Sequence, residues 1–133
     1  MEKDPLSILH ELTDKLPTFP EGFEDPRFNK YRMEKGTCLS WHLFDNELCA
    51  IDKWFISCGT IMQPHTHISK EVITIYDGSM DLILDGVLKK LFRGDVAYIN
   101  PGQIHSSTYS EDCWFITLTI PPAKEFLHGR IEK

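Results

Sequence analysis

Gly59-Thr-Ile-Met-Gln-Pro-His65-Thr-His67-Ile-Ser-Lys-Glu71-Val-Ile-Thr-Ile-Tyr-Asp-Gly78 and Gly94-Asp-Val-Ala-Tyr-Ile-Asn-Pro-Gly102-Gln-Ile-His105 are the stretches whose reading decides the fold. Each is bounded by glycine and carries histidine at a fixed offset. Residues two apart on a strand point to the same face, so His65 and His67 can approach one ion from one edge of a sheet. Pro64 and the Ile68-Ser69-Lys70 segment interrupt regular pairing, and a turn there can return Glu71 to that side. The apolar run Val72–Tyr76 then ends at Asp77-Gly78, which reads as a hairpin. His105 follows the Asn100-Pro101-Gly102 turn and opens a polar strand. Three imidazoles and one carboxylate form a donor set for a divalent transition metal, with coordination positions left for water or substrate.

Working outward, turn signals fall at Asp45-Asn46, Asp85-Gly86, Gly94, Pro101-Gly102 and Glu111-Asp112. They divide the chain from Thr37 onward into eight expected strands: Thr37–Phe44, Leu48–Met62, Val72–Tyr76, Met80–Leu84, Val87–Phe92, Asp95–Ile99, Ser106–Ser110 and Cys113–Ile120. Short strands at this regular spacing imply an all-β sandwich or barrel. Upstream, Asp4-Pro5 reads as a helix cap and first turn, and Ile8, Leu9, Leu12 and Leu16 recur at helical spacing. Pro17 stops that helix. Thr18–Arg32, with Pro20, Gly22, Pro26, Phe19, Phe23 and Phe28, reads as an irregular aromatic arm. Pro121-Pro122 ends the last strand, and Ala123–His128 is expected to form a short helix.

The two glycine-bounded blocks resemble the motifs of the cupin superfamily, G-x5-H-x-H-x3,4-E-x6-G and G-x5-P-x-G-x2-H-x3-N. The first matches at every fixed position. The second departs at Asn100, where the family has proline, and at Tyr109, where it has asparagine; neither departure removes a ligand. The resemblance spans residues from about Ala50 to Pro121. It implies a double-stranded β-helix, or jelly-roll, barrel over residues 36–133, preceded by a helix and arm over residues 1–35. It also implies that His65, His67, Glu71 and His105 bind the metal, the histidines through Nε2. Iron, manganese, nickel, cobalt and zinc all suit that set.

Strand parity extends the ligand face. Phe55, Ser57, Ile61 and Gln63 are expected to precede His65 on it, Ile73 and Ile75 to follow Glu71, and Ser107 and Tyr109 to follow His105. Gln63, Ile73, Ile75 and Tyr109 are therefore the candidate substrate contacts, in a largely apolar pocket. His10 and His42 read as surface or structural histidines.

Composition bounds the function. A chain of 133 residues, 41% hydrophobic, supports one core. With a net charge of −6 and scattered basic residues, no nucleic-acid partner is expected; Lys89, Lys90 and Arg93 read as a solvated edge. No apolar stretch reaches membrane-spanning length and the N-terminus does not read as a signal peptide, so no membrane partner and a cytoplasmic location are expected. Cys38, Cys49, Cys58 and Cys113 lack metal or redox spacing and read as reduced, largely buried small hydrophobes.

The expected activity is that of an iron or manganese dioxygenase-like oxidoreductase acting on a small organic ligand. A metal- and ligand-binding module without turnover and a metal-dependent isomerase or lyase remain alternatives. The resemblance and the aromatic arm also imply a homodimer.

Overall fold

The computed structural model describes residues 33–122. The expected helices over Pro5–Leu16 and Ala123–His128, and the arm over Thr18–Arg32, lie outside the described residues. Ten strands occur in chain order: β1 (Met33–Lys35), β2 (Cys38–Asp45), β3 (Ala50–Ile56), β4 (Ile61–His65), β5 (Lys70–Asp77), β6 (Ser79–Leu84), β7 (Val87–Phe92), β8 (Val96–Ile99), β9 (His105–Thr108) and β10 (Cys113–Ile120). They form two five-stranded antiparallel sheets, ordered β1-β4-β9-β6-β7 and β2-β3-β10-β5-β8. The sheets close over an apolar interior in a jelly-roll barrel. Ile56, Ile75, Leu82 and Ile99 form its driest layer, each no more than 2% exposed. Among the described residues, no helix is long and apolar enough to cross a membrane.

Three local features differ from the sequence expectation. The run read as one strand over Leu48–Met62 is two strands. Ser57-Cys58-Gly59-Thr60 turns between β3 and β4, with Gly59 at φ +83° and its N–H donating to the Tyr109 carbonyl at 2.8 Å. The turn moves the chain from one sheet to the other, so parity cannot be carried through it.

Asp77-Gly78 is not a hairpin. β5 and β6 belong to different sheets, and this dipeptide is the corner between them. Gly78 sits at φ +80°, and a Cβ there would collide with the Asp112 carbonyl oxygen. The true two-residue hairpin is Asp85-Gly86, both at positive φ, joining the paired strands β6 and β7. Finally, β1 pairs with β4 where no strand was expected.

Candidate metal centre

The strands that carry the candidate ligands belong to different sheets. β4 and β9 pair with each other, placing His65 directly opposite His105. Glu71 enters from β5, across the barrel, where it pairs with Thr119 of β10 and Ile99 of β8. His67 lies in the loop between β4 and β5. Its carbonyl accepts the Gly102 N–H at 2.9 Å, which ties that loop to the Pro101-Gly102 turn before His105. Gln103 locks the same turn, accepting the Asn100 N–H at 3.0 Å and donating to Asp85 at 3.0 Å.

Each histidine is oriented in the same way. Nδ1–H of His65 donates to the Gln63 carbonyl at 2.6 Å, that of His67 to the Ser69 carbonyl at 2.8 Å, and that of His105 to the Gln103 carbonyl at 3.0 Å. A carbonyl has no proton to give, so each contact fixes the proton on Nδ1 and makes Nε2 the donor atom for a metal.

His67 Nε2 lies 2.9 Å from Glu71 Oε1. Two donors bonded to one ion at roughly 2.0–2.2 Å, at right angles, stand about 3 Å apart, so this separation fits shared coordination. His67 also faces two acceptors, Ser69 O and Glu71 Oε1, an arrangement satisfied by a second proton or by a cation between Nε2 and the carboxylate. The donor atoms of His67, Glu71 and His105 all lie within 4.8 Å of one another. His65 is outside that trio but adjacent: its ring centroid is 4.1 Å from that of His105 and 6.2 Å from that of His67.

The group opens on a cavity of about 50 Å³. His65, Glu71 and His105 line it, and Ile73, Trp54, Ile56, Met62 and Phe115 contribute much of its apolar wall. Ser107 and Tyr109 supply the hydroxyl groups, bonded to each other at 2.9 Å. Complete burial, only partly offset by the Ser107 bond, pushes the Tyr109 phenol well above its ordinary range, so it stays protonated.

Of the substrate contacts expected from sequence, Ile73 and Tyr109 line this cavity. Ile75 lies in the hydrophobic core and does not line it. Gln63 does not line it either, because the β4–β9 register shifts between Met62 and His65. That irregularity, at Pro64, turns Met62 and His65 inward together and leaves Gln63 off the wall. Phe55, Ser57 and Ile61 fail for related reasons: Trp54, Ile56 and Met62 take their places.

Sequence reasoning also missed Asp52. This carboxylate is fully buried on β3, and its Oδ2 has no hydrogen-bond partner. Its Oδ1 accepts from His42 Nδ1 at 2.9 Å, while His42 Nε2 lies 3.3 Å from Asp45. A strictly alternating strand interior to a barrel, Ala50-Ile51-Asp52, was the available signal. Cys38 and Cys113 are buried, as expected, but Cys58 is exposed; all four thiols are free, and burial pushes Cys113 up to about 12.

Comparison with known proteins agrees with this architecture. A family model described as a cupin domain matches residues 54–117. Among solved structures, an RmlC-like cupin from Shewanella frigidimarina superposes with TM-score 0.66 at 22% identity, over 80% of this chain and 99% of that one. KdgF from Halomonas sp. gives 0.64 at 16% identity, over 74% and 94%. A predicted oxalate decarboxylase from Thermotoga maritima gives 0.60 at 22% identity, over 65% and 83%. No curated protein matches the sequence.

Proposed function

The chain belongs to the cupin superfamily, and from that premise we propose that it is a metal-dependent oxygenase acting on a small organic molecule that chelates through two oxygens. One observation carries this reading: the oriented Nε2 edges of His67 and His105 converge with the Glu71 carboxylate beside a largely apolar cavity. His65, oriented in the same way and opposite His105, is the fourth ligand in this reading. An iron or manganese ion held there supplies Lewis acidity and one-electron chemistry to a chelated substrate.

The chain's own residues do the rest. The Nδ1–H bonds hold the imidazoles in place, and Glu71 offsets part of the ionic charge. Ile73, Met62 and Phe115 exclude bulk water, while Tyr109 donates to an oxygen of the bound molecule. In the net reaction both atoms of dioxygen enter the product.

Cavity size limits what enters. About 50 Å³ accommodates a few waters or the chelating end of a molecule, since one water needs roughly 10–15 Å³. The remainder would lie outside it, and three apolar side chains close in sequence or pairing to the proposed ligands are exposed. Ile68 follows His67 and is 85% exposed; Ile104 precedes His105 and is 55% exposed. Val87, 60% exposed, pairs with Leu84, which pairs with His105. A ligand with a chelating head and an apolar body matches both regions. Apart from the proposed ligand set, no charged side chain among the described residues lines the cavity, which disfavours a phosphate-bearing substrate.

The position of the Tyr109 hydroxyl on the cavity wall with Glu71 and His105 suits a second reading, isomerase or lyase chemistry, in which it would donate a hydrogen bond to a chelated enolate. Elemental analysis of protein purified without chelators, followed by oxygen uptake with alkyl-substituted catechols, diketones and 2-keto acids, separates these readings. Oxygen consumption that requires the metal supports the oxygenase. Turnover under nitrogen supports the second reading, and tight binding without turnover indicates a binding module.

A further inference from the structure

Ser107 and Tyr109 carry one more hydroxyl proton than their mutual hydrogen bond can use. Their oxygens are 2.9 Å apart, and among the described residues neither hydroxyl makes another hydrogen bond. Two hydroxyls bring two protons, and a single bond between them takes one. Whichever group donates to the other, one O–H is left without an acceptor. Both residues are buried, and a buried donor left unmade is costly. The space open to this proton is the cavity that both residues line.

With the proposed metal ligands set aside, the described wall offers no second strong side-chain donor. The Trp54 N–H is given to Thr117 Oγ1 at 2.8 Å, and Cys38 brings only a thiol, a weak donor. The rest of the wall is hydrocarbon and the thioethers of Met62 and Met80.

Strand register places the pair one step beyond the histidines. His105 is opposite His65 and Leu84, whereas Ser107 is opposite Met62 and Leu82. The two therefore share one face of β9 and stand about 7 Å apart along it. Tyr109 reaches back to the Ser107 level, since the two hydroxyls meet. A metal–oxygen bond followed by a hydrogen bond spans only about 5 Å. The pair thus meets an atom other than the two that chelate.

We propose that Ser107 and Tyr109 together bind a third oxygen of the ligand, a neutral one, set a few atoms inward of its chelating pair. Neutrality follows from the wall. A carboxylate there would meet one O–H and, among the described residues, no lysine or arginine, so its charge would be poorly matched. Resting on the chelating reading above, this narrows the substrate to a molecule with two chelating oxygens and a hydroxyl, ether or carbonyl oxygen beyond them. Ser107 becomes a binding residue alongside Tyr109. Whichever hydroxyl faces the ligand, the other donates to it and strengthens the outward bond.

The test compares isosteric probes on the full chain loaded with zinc, which holds a 2-oxo acid without oxidising it. 4-Hydroxy-2-oxobutyrate and 2-oxovalerate differ only in hydroxyl against methyl. 4-Methoxy-2-oxobutyrate and 2-oxocaproate differ only in ether oxygen against methylene, and the ether can only accept. Calorimetric titration should show the oxygen-bearing member binding tighter by about tenfold or more in at least one pair. The charged 2-oxoglutarate should bind more weakly than 4-hydroxy-2-oxobutyrate. Ser107→Ala and Tyr109→Phe each leave one O–H, so each should keep part of the preference. The double variant should lose it with zinc content unchanged. Equal affinities within both pairs in the unmodified protein, a comparison that needs no variant to fold, would overturn the third-oxygen site while leaving chelation standing. A preference that persists undiminished in the double variant would overturn the part given to these two residues. If zinc does not load, or if pyruvate and all four acids fail to bind, the chelating reading falls and this site falls with it.

Discussion

His65 and His105 are direct partners across the β4–β9 ladder, their ring centroids 4.1 Å apart. Backbone pairing thus brings together two of the proposed ligands, and the Nδ1–H bonds fix their rotation, so little ordering is left for a metal to impose. Substituting His67→Ala or His105→Ala should lower divalent-ion affinity by more than about 100-fold, as read by elemental analysis and calorimetric titration. Chelation should destabilise the loaded protein by roughly 3–4 kcal/mol when the metal had been present at 100–1,000 times its dissociation constant. One ion per chain retained in the double variant would remove the site.

Tyr109 and Ile68 should separate along different axes. Tyr109→Phe should leave metal content unchanged and reduce turnover by about 100-fold if the phenol donates in the reaction. Ile68→Ser should raise KM for substrates with an apolar body and leave it unchanged for a bare chelating head. Steady-state kinetics on a substrate series checks both. Equal effects of Ile68→Ser on long and short substrates would contradict the part proposed for Ile68.

The pair of half-buried His42 and buried Asp52 makes stability depend on pH. Burial, only partly opposed by the His42 bond, pushes the Asp52 carboxyl up to about 6. His42 is pulled down by its own burial, but hydrogen bonds from Asp52 and Asp45 outweigh this and leave it above the usual imidazole value. Both groups hold protons in the folded chain at pH values where the unfolded chain has released them. Folding therefore takes up protons, and this contribution to stability declines as pH rises. The decline runs first from about pH 4 to about pH 6 and then above the ordinary histidine range. The stability of metal-free wild type minus that of Asp52→Asn should fall by up to roughly 3 kcal/mol across the first window. Denaturant titrations at a series of pH values measure it, and a pH-independent difference would show that Asp52 does not titrate there.

The extent to which the sequence was legible follows from what each residue signals. His65, His67, Glu71 and His105 stood at fixed distances from glycines, and those glycines mark chain reversals, so the proposed ligand set was readable as a motif without knowing the sheets. Strand count and strand ends were legible wherever a turn dipeptide intervened, as at Asp85-Gly86. Assignment to a face failed at Gln63 and Ile61 because a single irregularity at Pro64 inverts everything upstream of it, and periodicity carries no record of such a shift. Asp77-Gly78 was misread because hairpins and inter-sheet corners use the same left-handed glycine. Only the partner strand distinguishes them, and pairing is non-local.

Gly78 should tolerate no side chain. Its φ of +80° and the Asp112 carbonyl oxygen against its α-carbon both oppose a Cβ. Gly78→Ala should cost roughly 2–4 kcal/mol, combining backbone strain with a steric clash. Gly86→Ala, at φ +81° but with open space around it, should cost about 1 kcal/mol. Thermal denaturation of the two variants compares them directly, and equal losses would mean that the Asp112 contact contributes nothing.

β10, the last described strand, lies in the interior of its sheet, hydrogen-bonded to β3 on one side and β5 on the other. A nascent chain that has emerged only as far as β9 has the motif histidines and Glu71 but not the strand that joins β3 to β5. Pairing between segments as distant as Ala50 and Thr119 slows folding and makes it concerted. The wall behind the proposed metal site is therefore complete only once β10 has been made. A chain ending before Cys113 would keep all four proposed ligands and yet lack the strand that holds β5 to β3.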